Sequence, residues 1–437
     1  MSLAKKSSSV LLRDVLLLFS TLASSIVIAR SLGPEIMGVW VALNILPSYA
    51  EMLGRTRIDI SAVYFLAKGK YAIGEVTHAL NLIAVVTSII ILAIIFFFID
   101  YLSLSLLKDK KDVYLLSMII ILAAIPLNLI FLNYMYLHTF KEDAKSMNYM
   151  ILTRALSIVV VIIPGLIFFN FQVLQLVICY VLSYMFGLII GFMRFQHHKR
   201  KGPYINTLLI KDLFLYAYKI YISGLLINLN QYIANTFILI FGSLTQITFF
   251  ALAQQFSLML YKITDSMNTF VFPSASKKDS SGSKFLIAKA FRTASVIMPL
   301  ISILSAILIY PAIYIFYGNN FLPVVQPFLI LLVGVTFTSI SGTLLMYFMS
   351  TGKPEIITKT LILPVLIQLI IAPYLIGLFD ILGAAIAFSV GMILGGFVQM
   401  VLFIRVSKIS ALDNLVPKKD DFLTVINFIK STLRKDN

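Results

Sequence analysis

The chain has 437 residues, of which 60% are hydrophobic, 13% aromatic and only 12% charged. Ordinary soluble domains are roughly 45–50% apolar and roughly 25% charged, so this composition excludes a water-soluble enzyme. The formal net charge of +16, from 35 Lys and Arg against 19 Asp and Glu, would suggest nucleic acid in a soluble protein; in a membrane protein it records which loops stay in the cytoplasm.

A spanning helix needs about 20 apolar residues. In chain order such runs fall at 10–32, 36–55, 77–99, 113–138, 148–169, 173–194, 213–241, 246–272, 290–316, 324–350, 356–378 and 382–404. About twelve spans in 437 residues leave no room for a soluble catalytic domain. The first run follows Lys5 and Lys6 and is interrupted by Arg13 and Asp14. It is too long for a signal-peptide core and reads as an uncleaved first helix. The single cysteine, Cys179, excludes an internal disulfide, and four histidines leave little for a metal site.

Lys and Arg alternate from loop to loop. The N-terminus, the connections near 56–70, 141–154, 194–211, 277–292 and 353–359, and the C-terminal tail are all basic. The intervening turns at 170–172, 242–245, 317–320 and 379–381 have no Lys or Arg. Only Arg30 and the mixed run from Lys108 to Asp112 break the pattern. The expected topology has an even number of spans with both termini cytoplasmic. The tail places Phe422, Val425, Ile426, Ile429 and Leu433 on one helical face, as in an interfacial amphipathic helix or a solvated terminal helix.

The halves repeat weakly at an offset of about 210 residues. Tyr136 to Lys141 matches Phe348 to Lys353, and Ile163-Pro164-Gly165 matches Ala372-Pro373-Tyr374. Phe192-Met193-Arg194 matches Phe403-Ile404-Arg405, and Gly33 is echoed by Gly242. Six spans per copy is an even number, so the copies run parallel. The expected fold is an all-α polytopic membrane protein of two parallel-repeat six-helix bundles. Its expected divisions are 1–200, a basic linker at 201–212, a second bundle at 213–405 and a cytoplasmic tail at 406–437. Transporters of this kind carry substrate between their bundles.

Charged groups in hydrocarbon are costly and usually face an aqueous cavity. Span two carries Asn44, Ser48, Glu51 and Arg55 on one helical face, with Arg57 and Asp59 just beyond. Span seven has Lys219, then Asn228, Gln231 and Asn235; span eight has Gln255, Lys262 and Asp265. Span one has Arg13, and Arg30 follows it. Each has a structural alternative. Glu51 and Arg55 are spaced for an ion pair. Lys219 can snorkel. Arg13 and Arg30 can anchor interfaces, and the Asn/Gln stripe can hold helices together by hydrogen bonds. Gly187/Gly191 and Gly391/Gly395 read as small-residue packing, and His197-His198 as a solvated loop end. No G-x-x-x-x-G-K-[ST] pattern occurs, against ATP hydrolysis by this chain.

Several segments, in order, resemble the polysaccharide-export branch of the MOP superfamily, whose best-known members are Wzx-type O-antigen flippases. They are Ile28-Ala29-Arg30-Ser31-Leu32-Gly33-Pro34 with Gly38 and Ala42, and Ala251-Leu252-Ala253-Gln254-Gln255 running on to Phe272-Pro273. They continue with Ser350-Thr351-Gly352-Lys353-Pro354 and Leu382-Gly383-Ala384-Ala385-Ile386-Ala387. The resemblance implies a cavity formed mainly by helices 1, 2, 7 and 8. It also implies transport of an undecaprenyl-diphosphate-linked oligosaccharide (an O-antigen, capsule or exopolysaccharide repeat unit) across the cytoplasmic membrane by alternating access, not catalysis.

For such a cargo Arg55, Lys219, Lys262, Arg13 and Arg30 are the expected diphosphate ligands, since Lys and Arg bind phosphate oxygens strongly in a low-dielectric cavity. Asn228, Gln231, Asn235, Gln254 and Gln255 suit the sugars. Glu51, Asp59 and Asp265 are candidates for ion coupling by H⁺ or Na⁺, or for orienting neighbouring bases. No other cofactor is expected. Expected partners are the lipid-linked substrate, membrane lipids, and a polysaccharide polymerase with its chain-length machinery, with no nucleic acid. The main alternative is a MATE-like cation-coupled multidrug or metabolite antiporter, which favours an acidic cavity. A membrane glycosyltransferase or polymerase needs a sizeable outer loop, and the longest outer connection, near 100–112, is a dozen residues.

Overall fold

The structure is a computed structural model that describes residues 3–55, 57–141, 143–195, 206–276, 280–353, 355–410, 414–418 and 421. Among the described residues every regular element is a helix. The expected tail face at 422–433, His197-His198 and most of the expected linker lie outside the described residues.

The first helix, α1 (Leu3–Gly54), runs for 52 residues and is broken at Gly33, whose φ of 77° and ψ of 174° suit only glycine. Pro34 follows, disfavouring a helical Gly33 and suiting the first position of the next helix. The last long helix, α14 (Glu355–Ser407), is broken likewise at Phe379 and Asp380. At 1.5 Å per residue either helix, if straight, would be more than about twice as long as a bilayer core is thick. Both breaks fall where the sequence separates two spans.

Between them come α2 (Ile58–Ala67), α3 (Ile73–Phe97), α4 (Ile99–Leu107), α5 (Lys111–Ile121), α6 (Ala124–Phe140), α7 (Ala144–Phe168) and α8 (Val173–Phe195). Then follow α9 (Thr207–Phe241), α10 (Leu244–Ser276), α11 (Ser280–Phe316), α12 (Val325–Ser341) and α13 (Leu345–Ser350). Nine segments among the described residues are long and apolar enough to cross a membrane, the broken α1 and α14 each supplying one. The polar-rich α10 is not among them. The fold is that of an all-α polytopic membrane protein.

Three connections differ from the sequence expectation. The basic stretch 56–70 contains α2, a ten-residue apolar helix with Ile58, Asp59, Ser61, Ala62 and Leu66 buried. The connection at 100–112 is helical, and its charges pair: Lys111 with Asp100 at 2.9 Å and Lys110 with Glu35 at 3.3 Å. Residues 207–212, expected in the linker, are the first turns of α9, capped by Asn206, whose Oδ1 accepts from the Leu209 amide at 3.0 Å.

The chain divides into two compact units, 1–225 and 226–437, with α9 shared between them. In the first, Ile58, Ala62 and Leu66 of α2 share a core with Leu209, Leu213 and Ala217 of α9, Phe131 and Leu137 of α6, and Tyr184 of α8. Ser61 Oγ donates to the Leu213 carbonyl at 3.0 Å, and Tyr64 stacks on Tyr216. In the second, Ile287 and Phe291 of α11 pack with Tyr347 and Phe348 of α13, Phe403 of α14 and Leu415. Gly187 and Gly191 lie against Phe131 and Met150, and Gly391 and Gly395 against Pro364, so both small-residue pairs serve packing.

Candidate functional site

After Gly33, the second half of α1 presents Trp40, Asn44, Ser48, Glu51 and Arg55 on one helical face. All five are partly exposed, whereas Ala42, Leu43, Ile45 and Leu46 between them are buried. The polar face is therefore neither core nor an exposed apolar surface.

Its centre is Arg55. The side chain is 20% exposed and is held from three directions. Nε donates to Asp59 Oδ2 at 3.0 Å, Nη2 donates to the Tyr136 hydroxyl of α6, and Nη1 stands 3.7 Å from Glu51 Oε1. Asp59 is 3% exposed and Glu51 36%. Glu51 Oε2 accepts from Asn128 Nδ2 of α6 at 2.9 Å. Arg57 takes a left-handed conformation (φ 59°) that ends α1 and starts α2, and its guanidinium lies against Gly224 of α9. The structure thus brings Glu51, Arg55 and Asp59 into one constellation. The expected Glu51–Arg55 pair is present, but the shorter contact is Arg55 to Asp59.

The same unit holds a second partly buried guanidinium that sequence reasoning missed, Arg154. Arg154 ends the basic stretch 141–154 and also lies inside the expected span 148–169, but it is not among the expected site residues. Helix α7 begins at Ala144, with Asp143 as its cap accepting from the Ser146 amide at 3.0 Å. That start places Arg154 ten residues into the helix. Its Nη2 donates to the Tyr184 hydroxyl at 2.6 Å, and its charge lies 3.7 Å from the Tyr184 ring centre. Tyr180 and Phe131 flank it at 5.9 and 5.6 Å. Arg154 Nε is buried without a hydrogen-bond partner. Tyr180 and Tyr184 share their hydroxyls at 3.2 Å, and Trp40 meets the Tyr180 ring edge-on at 5.6 Å. Trp40 on the face of α1 thus leads through a row of aromatic rings to Arg154. Two signals could have found this: the Asp143-x-x-Ser146 cap, which fixes where α7 starts, and Trp40 extending the Asn44–Arg55 stripe by one turn.

The other expected site residues are placed as follows. Arg13 binds its neighbour Asp14 at 2.7 Å and Asn148 Oδ1 of α7 at 3.2 Å. Arg30 is exposed at the end of the first α1 segment. The Lys219 side chain lies outside the described residues. In the second unit, Asn235 Nδ2 donates to Gln254 Oε1 at 2.8 Å, and Gln254 Nε2 donates to the Gln231 carbonyl at 3.0 Å. This pair ties α9 to α10, with Asn235 buried. The Gln231 side chain is exposed and Asn228 half-exposed. Gln255 Nε2 is buried without a partner. Lys262 and Asp265 are exposed and three residues apart on α10. Among the described residues no group of three or more His, Cys, Asp or Glu is arranged for a metal ion.

Residues 6–278 match the family described as "Polysaccharide biosynthesis protein". No curated protein sequence matches the chain. Among solved structures, an inward-facing multidrug resistance MATE family transporter of the MOP superfamily superposes with a TM-score of 0.74, at 12% identity, over 89% of this chain and 94% of its own. The lipid II flippase MurJ, in an inward closed conformation, gives a TM-score of 0.70, at 15% identity, over 96% of this chain and 89% of its own. A MOP superfamily transporter from Pyrococcus furiosus, described as having a binding pocket of reverse polarity, gives 0.66, at 14% identity, over 94% and 96%. These likenesses establish the fold of MOP transporters. With more than half of its length matched, the chain belongs to the polysaccharide biosynthesis protein family.

Proposed function

We propose that this protein is a flippase for an anionic lipid-linked oligosaccharide and that Arg55 holds the diphosphate. The observation that carries the reading is the Arg55 guanidinium itself, anchored through Nε and Nη2 with Nη1 facing a partly exposed carboxylate. A guanidinium has five N–H donors in a planar fork that matches phosphate oxygens. Two edges are fixed by Asp59 and Tyr136, so the remaining Nη1 edge is pre-oriented. The Trp40, Tyr180 and Tyr184 rings, with Asn44 and Asn128, supply the apolar faces and hydrogen-bonding groups that sugars require.

Cargo passes by alternating access, both termini face the cytoplasm, and the lipid tail stays in the bilayer. The membrane is the cytoplasmic one, and the product feeds a polymerase. Lys262 and Lys219 are further candidates for anion contact. Of the carboxylates expected to couple H⁺ or Na⁺, Asp265 is the remaining candidate, because Asp59 and Glu51 are drawn to Arg55. A cation antiporter would need unengaged carboxylates, whereas Arg55 already engages Asp59 and faces Glu51 in this unit; this favours the anionic cargo.

The test is glycan export in cells lacking the endogenous protein. Arg55→Ala abolishes export while reaching the membrane at normal levels, and Arg55→Lys restores little, because an ammonium cannot reproduce the fork. Full export by Arg55→Ala would reject the assignment.

A further inference from the structure

Two carboxylates meet Arg55, and they are held differently. Asp59 is buried at 3% exposure and accepts from Nε at 3.0 Å, so it is fixed. Glu51 is 36% exposed and stands 3.7 Å from Nη1, beyond hydrogen-bond distance. Its other oxygen already has a partner elsewhere, the Asn128 amide at 2.9 Å. Glu51 is therefore a loosely held anion at the Nη1 edge of Arg55.

Charge balance gives that position a meaning. Asp59 and Glu51 together more than balance the charge of Arg55, so the guanidinium is not an uncompensated cation in a low-dielectric site. A site with Arg55 uncompensated would bind a diphosphate tightly and release it slowly, while a transporter needs binding weak enough to leave. On the reading of Arg55 as the diphosphate seat, we propose that Glu51 is an internal counter-anion that alternates with the substrate's phosphate on Nη1 of Arg55. Arriving phosphate displaces Glu51 toward Asn128; departing phosphate lets it return. Glu51 lowers affinity and speeds release, whereas Asp59 only positions the arginine.

The test uses the full-length protein in lipid nanodiscs with UDP-N-acetylglucosamine as a soluble diphosphate diester, together with the export assay in cells. Glu51→Gln keeps an acceptor for Asn128 but removes the charge; it binds the probe about tenfold more tightly and exports more slowly. Glu51→Asp keeps the charge and binds within about threefold of wild type. Asn128→Ala removes the alternative resting place and binds the probe more weakly. These opposite changes in affinity and turnover are not what a structural role would produce. Arg55→Gln loses binding. Should Arg55→Gln lose binding while Glu51→Gln binds no more tightly than wild type, the seat stands and the counter-anion proposal is overturned. Unchanged or tighter binding in Asn128→Ala overturns it as well. Should Arg55→Gln bind like wild type, the seat itself is wrong and the proposal falls with it.

Discussion

Arg55 and Asp59 are four residues apart, yet they pair across the end of one helix and the start of the next. Gly54 closes α1, Arg57 turns the chain with φ 59°, and Asp59 sits in the first turn of α2. An acid there is favoured by the helix dipole as well as by Arg55. The ion pair therefore fixes the angle at which α2 leaves α1, and with it the two fixed edges of the guanidinium.

Asp59→Asn should separate positioning from counter-charge. It keeps the size of the side chain but weakens the Nε bond of Arg55, and Asp59 is too buried for water to substitute. The expected loss of stability is about 1–3 kcal/mol, read from thermal unfolding in detergent. Binding of UDP-N-acetylglucosamine should weaken, opposite to Glu51→Gln. Equal or tighter binding would show that Asp59 does not orient Arg55.

Trp40 is the chain's single tryptophan and meets Tyr180 edge-on, next to the Tyr184–Arg154 pair. Its fluorescence therefore reports on this site alone. Adding the diphosphate diester should change Trp40 emission in wild type and not in Arg55→Gln. Arg154→Lys should lower the unfolding temperature and shift the emission without ligand, because an ammonium loses both the planar stacking on Tyr184 and the hydrogen-bond geometry. An unaltered spectrum in Arg154→Lys would mean that the aromatic row does not depend on this guanidinium.

The sequence made the membrane helices legible because their apolar runs are long and because Gly33 and the residues near 380 mark where the chain must break. Helix α2 was not legible: ten residues are too few for a span, and Arg55, Arg57, Lys68 and Lys70 around it look like a loop. Glu51, Arg55 and Asp59 were legible from their spacing. Which carboxylate Arg55 prefers was not, since it depends on a left-handed turn at an arginine that no propensity favours. Arg154 falls both in the basic stretch 141–154 and inside the expected span 148–169, and α7 starts only about one turn before that span. What the sequence did not show was which aromatic rings the guanidinium would meet. Asn235 had two readings in the sequence, sugar contact or helix packing, and its direct hydrogen bond to Gln254 across α9 and α10 gives it a packing role.

The start of α9 is tied to the α2–α3 connection by Asp212, whose Oδ2 accepts from Lys70 Nζ at 2.6 Å and from the Tyr71 hydroxyl at 2.5 Å. The bond from Lys70, then that from Tyr71, holds the Asp212 carboxyl below the usual carboxylate range. The same bond holds the Lys70 amine above its ordinary value. Burial, then the Asp212 contact, pushes the Tyr71 phenol up, so it stays a neutral donor. A lowered carboxyl contributes above its unfolded value, near about 4, and loses that contribution as pH falls through the lower folded value. A raised amine contributes below about 10.4 and loses it as pH rises through the higher folded value. Amide exchange over residues 209–216 should therefore be protected evenly across neutral pH, lose protection in acid, and lose it at neutral pH in Asp212→Asn. Because Lys70 is 49% exposed, high salt should weaken the tie as well. Protection in Asp212→Asn equal to wild type would rule this tie out.

Gly33 and Gly377 offer a comparison in which the same substitution should have opposite signs. At both, an added Cβ meets nothing within 4 Å, so sterics do not separate them. Gly33 has φ 77° and ψ 174°, which a residue with a Cβ adopts only under strain. Gly33→Ala should cost about 1–3 kcal/mol and, by pulling the chain toward the helical region that Pro34 disfavours, should re-aim the stripe that begins at Trp40. Its unfolding temperature falls and its Trp40 emission shifts. Gly377 lies exposed within α14, where alanine is the better helix former by about 1 kcal/mol, so Gly377→Ala should leave the unfolding temperature equal or higher and the emission unchanged. A fall of equal size in both variants would show that the loss at Gly33 reflects general intolerance of the helices to added methyl groups, and that the break at Gly33 does not aim the polar face of α1.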